Sequence, residues 1–502
     1  MRRDAIAMMR AAARPAMLVS LVAATVLATA GGPARPEAAA VARSGAAQAP
    51  QAAGGPAPLT GLPGYKTLEA RHPGSDAVVL FDTLVVSLDA DGRVSRRRHR
   101  AVALFTDNAI NRYGDPRILF DAARQDLTDI TARVYMRDGT IVESQRNAIN
   151  RTTPFALDKA PDYADWQETV VTHVGIEKGC VAELAYAIRD KVPEPWFSGV
   201  EIFSSDDPVE VRVLEVRAPS SSTFRCASLT GAPEADSPAP GIRCWTVRGI
   251  PGRTPFDGGA WEGDCCPVAC YSTAAGWPSL LATIAAPIVA ASRGADVLSA
   301  AVNEAVADSG DDEERVLAVH HLALGCVSSV RAPFGLLAAA PRDAGRIYES
   351  GYASPLDRAV LLAAMLRAAG CEPAFVLATP GHAWPEGVSA AELFTSIFVA
   401  VKTRDGELYL DPAKPFRHDT AFDLAGRTIA RLDGEYPVMH LMERSPDESR
   451  SELAIVLTPD GDGRLAGEGT ALLTGLFSPY FAMRGTESEA ADYVKARVSG
   501  LF

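Results

Sequence analysis

Ser354-Pro355-Leu356-Asp357-Arg358-Ala359-Val360-Leu361-Leu362-Ala363-Ala364-Met365-Leu366-Arg367-Ala368-Ala369-Gly370 is the stretch on which the fold turns. Ser354 has the side chain of an N-cap, Pro355 suits the first helical position, and Asp357 puts an acid in the first turn. Gly370 supplies the stop. Between them apolar residues fall on nearly every side, which predicts a helix from Pro355 to Ala369 that is buried all round. Strands are expected next at 374–378, then at 396–402 and 407–411 about the turn Thr403-Arg404-Asp405-Gly406. A four-residue loop pairs Lys402 with Glu407, sets Asp411 opposite Phe398 and leaves Ser396 diagonal to Asp411 on the same face. A buried helix on an antiparallel hairpin is an α+β core.

Working outward, residues 278–292, 295–308 and 311–327 carry apolar residues at three- and four-residue spacing and read as helices. Asp311, Asp312, Glu313 and Glu314 load the N-terminus of the third, where they complement its dipole. His320 and His321 inside it are adjacent, so they do not share a face and make no joint metal site. Upstream, residues 61–262 read as strands. The run 78–88 turns at Asp89-Ala90-Asp91-Gly92 into 94–104, and 130–135 turns at Arg137-Asp138-Gly139 into 140–143. Further strands are expected at 170–174, 181–188, 209–216, 222–226 and 242–247. A β-sandwich is the natural architecture. Asp89-x-Asp91-Gly92 sits between strands and lacks the later Glu of a calcium loop, so it reads as a turn. Arg96-Arg97-Arg98-His99-Arg100 reads as a solvated edge strand, with a docking patch for an anionic polymer as the alternative. Residues 452–502 repeat the strand–turn–strand theme at 453–457 and 465–472, with Asp460-Gly461-Asp462-Gly463 between, and a helical stretch at 487–498. Two strands are too few for a stable sheet, so this region completes another domain or opens a longer protein.

The N-terminus reads as an export leader. Arg2, Arg3, Arg10 and Arg14 precede the apolar run 17–27, and Ala28-Thr29-Ala30 supplies small residues for cleavage. An N-terminal anchor is the alternative; the run is short for a membrane span, and no later run of about 18 apolar residues follows. The leader holds four arginines and one aspartate, so the chain of formal charge −13 becomes −16 without it. That acidity argues against nonspecific binding to nucleic acid or to an anionic membrane. Residues 31–60, rich in Ala, Pro and Gly, read as a flexible linker. The expected organisation is thus leader 1–30, linker 31–60, β domain 61–262, connector 263–295, α+β core 296–440 and a C-terminal β region 441–502.

Export permits disulfides among the eight cysteines. Cys226 with Cys244 is the leading pair, each in or beside a strand; Cys265, Cys266 and Cys270 crowd one loop and have each other or Cys180 as partners. Their spacing without a nearby His is poor for zinc. No metal or cofactor is expected.

Arg342-x-Ala344 … Gly351-Tyr352-x-x-x-x-Asp357-Arg358-Ala359-x-Leu361-Leu362-x-Ala364-x-Leu366-Arg367-Ala368-x-Gly370 resembles the central motif of bacterial transglutaminase-like proteins. Phe394-x-x-x-x-Val399-x-Val401 and Tyr409-Leu410-Asp411-Pro412 resemble the blocks that follow it. Tyr135-x-x-Asp138-Gly139-Thr140 and the run from Trp245 to Pro255 resemble the domain of unknown function that usually precedes this core in exported bacterial proteins. The resemblance covers roughly residues 65–440. It implies a papain-like core with a Cys-His-Asp triad, in which a cysteine at a helix N-terminus is the nucleophile, a histidine takes its proton and an aspartate orients the histidine. Carried over, those positions are Pro355, Ser396 and Asp411, so only the aspartate is of the right type. Ser354 and His382 are the nearest rescue candidates for nucleophile and base. Cys371 lies past the wrong end of the helix for a thiolate and Cys326 is inside another helix.

Three readings follow. The first is a non-catalytic binding or scaffolding module of the periplasm or cell envelope, or a secreted one, whose partner is a peptide or protein segment. The second is an acyl transferase, peptidase or amidase with a displaced site. The third is a structural surface protein whose β domains do the work.

Overall fold

In a computed structural model, the structure describes residues 17–22, 65–253, 261–294, 296–404, 406–414, 424–432, 439–441, 449–459 and 465–473. The linker 31–60, the turn at 460–463 and the helical stretch 487–498 lie outside them.

The first body is β-rich. A seven-stranded sheet runs in the order Ile242–Ile250, Val209–Arg217, Ala77–Leu88, Val94–Leu104, Val181–Asp190, Gln125–Tyr135, Ile141–Glu143. All neighbours are antiparallel except Ala77–Leu88 and Val209–Arg217, which run parallel. The turns at Asp89–Gly92 and Arg137–Gly139 form where glycine allows a positive φ: Gly92 at 80° and Gly139 at 88°. Two three-stranded sheets pack on this one. In the first, Val268–Ser272 lies between Ser198–Ile202 and Arg225–Leu229, and Phe197, Ala269 and Tyr271 meet Val79, Leu104 and Trp245 in a shared core. In the second, Trp166–Val171 lies between Arg117–Asp121 and Ile149–Thr152. The N-terminal sheets therefore take in Val268–Ser272, from the stretch read as connector. Its apolar residues are all buried, a pattern with no alternation to betray it.

The basic strand corrects both readings made of it. Val94–Leu104 lies in the middle of the seven-stranded sheet, and other strands of that sheet supply its counter-ions. Arg96 meets Asp190 at 3.4 Å, Arg97 meets Asp129 at 3.4 Å, and His99 meets Glu183 at 2.7 Å. Arg98 grips Asp82 with two hydrogen bonds, of 2.9 and 2.5 Å, and Arg100 lies 5.3 Å from the centre of the Tyr113 ring. The run is neither an edge nor a free cationic patch.

The second body is α+β. Its antiparallel five-stranded sheet runs Gly406–Leu410, Ser396–Thr403, Pro373–Ala378, Thr428–Arg431, Met439–Leu441. Lys402 pairs with Glu407, as the turn length required. The helix Pro355–Ala368 lies on one face, with every residue from Leu356 to Leu366 buried. Around it stand the helices Trp277–Ala291, Asp312–Cys326 and Ala344–Ser350 and the sheet residues Phe375, Leu377, Ile397, Val399 and Val401. Phe398, Ala400, Val376 and Tyr409 form a separate cluster on the opposite face. Among the described residues no single helix is long and apolar enough to cross a membrane.

A hairpin of Ser451–Pro459 and Leu465–Leu473 gains a third strand from Met17–Val22, with Met17 opposite Leu473. This strand comes from the stretch read as a leader and pairs along the open edge of the hairpin, a surface that attracts any extended apolar segment.

Candidate functional site

The helix that begins at Ser354 is capped as its sequence demands. The Ser354 hydroxyl accepts the Asp357 N–H at 3.2 Å. What the sequence did not reveal is a side chain of the β domain standing on the helix tip. The Tyr163 hydroxyl accepts the Ser354 N–H at 3.1 Å and donates to Asp357 Oδ2. Arg342 completes the cluster. Its Nε donates to Asp357 Oδ2 at 2.7 Å, its backbone N–H to Asp357 Oδ1 at 3.1 Å, and its Nη1 to Asp162 Oδ2 at 2.5 Å. The guanidinium lies 4.8 Å from the Tyr163 ring centre and 4.6 Å from that of Tyr352. Burial and then the Asp357 carboxylate push the Tyr163 hydroxyl up to about 12, so it stays a neutral donor. Hydrogen bonds from Arg346 above all, and from Arg342, hold Asp162 at about 2.

Beside this tip a cavity of about 660 Å³ opens between the two bodies. Pro355 is exposed to it, and Leu356, Ile284, Pro287, Leu336 and Phe394 line its apolar wall. Trp166 from the β domain and Phe334 from the core stack across it at 4.3 Å. Its polar end carries Ser198, Arg96, Arg124, Glu194 and Glu392. Glu392 is exposed to the cavity. Ser198 Oγ donates to Glu392 Oε2 at 2.6 Å and accepts the Ala391 N–H at 3.3 Å. Burial raises the Glu392 carboxyl above the usual carboxylate range, against the hydrogen bond from Ser198 and the charge of Arg96.

The structure brings some of the expected positions together and separates others. Ser354 and Pro355 line the cavity; Ser396, Asp411 and His382 do not. Strand alternation puts Ser396, opposite Ala378, with Phe398 and Ala400 on the face turned away from the helix. Thr395, one residue earlier, lines the cavity. Asp411 accepts the Ala413 N–H at 2.9 Å and pairs with Lys414 at 3.2 Å, while its carbonyl bonds the buried His320 at 2.8 Å. The His382 ring bonds the Gly426 carbonyl at 2.6 Å, and the His382 backbone N–H donates to Asp264 Oδ1 at 2.7 Å. Burial raises the thiols of Cys326 and Cys371.

None of the disulfide candidates is bonded in this structure. All eight cysteines are unpaired in the structure. Cys226 and Cys244 lie on strands of different sheets, and the sulfurs of Cys265 and Cys266 are 3.9 Å apart, too far for a bond. Cys270 is buried beneath the sheet strand that carries it, and Cys180 beside Leu104. Among the described residues no three His, Cys, Asp or Glu side chains converge as metal ligands.

Glu392 and Ser198 were missed. The available signal was one acid inside Ala390-Ala391-Glu392-Leu393-Phe394, a charge in an apolar run that solvation alone does not explain.

Comparison with known proteins agrees with this architecture. The family model of DUF3857, a domain of unknown function with a solved structure, matches residues 90–251, within the β domain. A crystal structure of a "putative protease" from Parabacteroides distasonis is 21% identical, with a TM-score of 0.67 over 83% of this chain and 95% of that one. The two chains share a fold across both bodies. An M1 zinc metallopeptidase from Deinococcus radiodurans is 13% identical over 39% of this chain and 42% of its own, with a TM-score of 0.21, and carries no argument. No curated protein matches.

Proposed function

We propose that the chain is an exported, transglutaminase-like protein that holds a peptide or protein segment at the cavity beside Pro355 without cleaving or transferring it. The observation that carries this reading is the residue at the tip of the buried helix. Pro355 faces the cavity where the family resemblance places the cysteine, and it has no nucleophile. Ser396, the carried-over histidine position, and Thr395 beside it have no basic group near neutral pH. Ser354 spends its oxygen on the helix cap, and Tyr163 occupies its backbone N–H. The cavity is apolar for most of its wall with a few polar groups at one end, the composition of a binding site. The leader-like character of residues 1–30 supports export to the periplasm or beyond; N-terminal sequencing of the protein recovered outside the cytoplasm is the check, a start after Ala30 being expected and implying that the strand Met17–Val22 is absent from the mature chain.

The test of the main reading is direct. The full chain is incubated with a glutamine-donor peptide and an amine, and separately with a mixture of unmodified peptides followed by mass spectrometry. The expected result is peptides retained on the protein and recovered intact. Turnover that Ser354→Ala or Cys371→Ala abolishes overturns the reading in favour of an enzyme with a displaced site.

A further inference from the structure

Among the described residues, two carboxylates that line the cavity lack a cationic partner within 4 Å, Asp121 and Glu392. Arg96 faces Asp190 at 3.4 Å and Arg124 faces Glu194 at 3.2 Å. Asp121 is taken up by the backbone N–H groups of Ala123 and Arg124, at 2.9 and 3.3 Å. Glu392 has the Ser198 hydroxyl at 2.6 Å and a hydrogen bond from Trp196, but among the described residues no cationic side chain stands within 4 Å of it. The carboxylate faces the cavity, where an entering cation can reach it. Ser198 is itself fixed by the Ala391 N–H, so it orients the carboxylate rather than neutralising it. The apolar wall begins at once beyond, with Phe394, Leu356 and Pro355.

We propose that Glu392 selects a segment carrying one cationic group, a Lys or Arg side chain or a free α-amine, flanked by apolar residues that lie along the Pro355 wall. This rests on the reading of the cavity as a peptide site and names what that site recognises. The cation displaces no protein group: it adds a charge-assisted hydrogen bond to the carboxylate oxygens left open by Ser198, and the apolar side chains bury against Ile284, Leu336 and Phe334. The raised proton affinity of Glu392 agrees with an anion that lacks its partner.

The test uses the full chain and C-terminally fluorescein-labelled octapeptides of Leu, Ala and Phe, read by anisotropy at pH 7. One peptide has a free α-amine, one is N-acetylated with a single Lys, one is N-acetylated with norleucine at that place, and one is N-acetylated with Glu there. The two cationic peptides are expected to bind about tenfold or more tightly than the norleucine peptide, and the Glu peptide most weakly. A gap between the two cationic peptides identifies side chain or terminus as the source. Glu392→Gln should erase the cationic preference, and Glu392→Asp, which keeps the charge on a shorter arm, should retain part of it; a thermal midpoint no lower than that of the parent shows that each variant is folded. Equal binding of norleucine and cationic peptides, or a preference that survives Glu392→Gln, overturns the inference while leaving the peptide-site reading intact. Failure of all four to bind overturns both.

Discussion

Arg342, largely covered by protein, and Glu392, which faces the cavity, are two charges with opposite consequences. Arg342 is paired on both sides, so Arg342→Ala strands the Asp357 carboxylate inside the protein and should cost about 3–5 kcal/mol, read as a lower urea midpoint; Arg342→Lys, lacking the planar fork, should recover little of it. Asp162 links this cluster to pH. Its folded-state value is held at about 2 against an ordinary 3.8, so its contribution is in full force above about pH 4 and is lost as pH falls toward 2. The thermal midpoint should drop across that window, and Asp162→Asn should flatten the drop. Glu392 runs the other way. Burial raises its carboxyl above the ordinary value, so its charge adds no folding stability at pH 7, and Glu392→Gln should leave the thermal midpoint there unchanged or higher. A fall of several degrees there would mark Glu392 as a structural group. Arg342 was visible in the sequence as part of a spaced motif. Its partner Tyr163 was not, because nothing local in residues 161–163 marks a hydroxyl destined for a helix tip 191 positions away.

Among the elements, the helix Pro355–Ala368 was the most legible because cap, composition and stop all sit within seventeen consecutive residues. Ser354→Ala removes the oxygen that accepts the Asp357 N–H and should cost about 1 kcal/mol, whereas Leu361→Ala opens a hole in a site with no exposure and should cost about 2–5 kcal/mol; chemical denaturation of the two variants should rank them in that order. Hairpins were legible for the same reason, since a turn and its strands are contiguous. The basic strand was misread because its counter-ions, Asp82, Asp129, Glu183 and Asp190, belong to three other strands. The phase of Ser396 also depended on distant pairing. Only its position opposite Ala378 shows that it faces away from the helix and that Thr395 faces the cavity.

At the scale of the whole molecule, the two bodies are joined by an aromatic stack and a guanidinium clamp, Trp166 on Phe334 and Arg342 between Tyr163 and Tyr352. They should therefore melt together. Calorimetry of the full chain should show one main transition for residues of both bodies, and the double variant Trp166→Ala/Arg342→Ala should split it, with the cavity lost at the lower step. The cavity itself was out of reach of sequence reading, for its lining is gathered from separate segments between Arg96 and Thr395. The parallel contact between Ala77–Leu88 and Val209–Arg217 bears on how the chain is made. The first strand is synthesised 121 residues before its second neighbour begins, a delay of about 6–24 s at roughly 5–20 residues per second. Through that interval its open backbone edge has no native partner on one side. The β domain is thus held back from completion by its own topology, and the nascent chain remains a threadable, chaperone-accessible polymer until more than 200 residues have emerged.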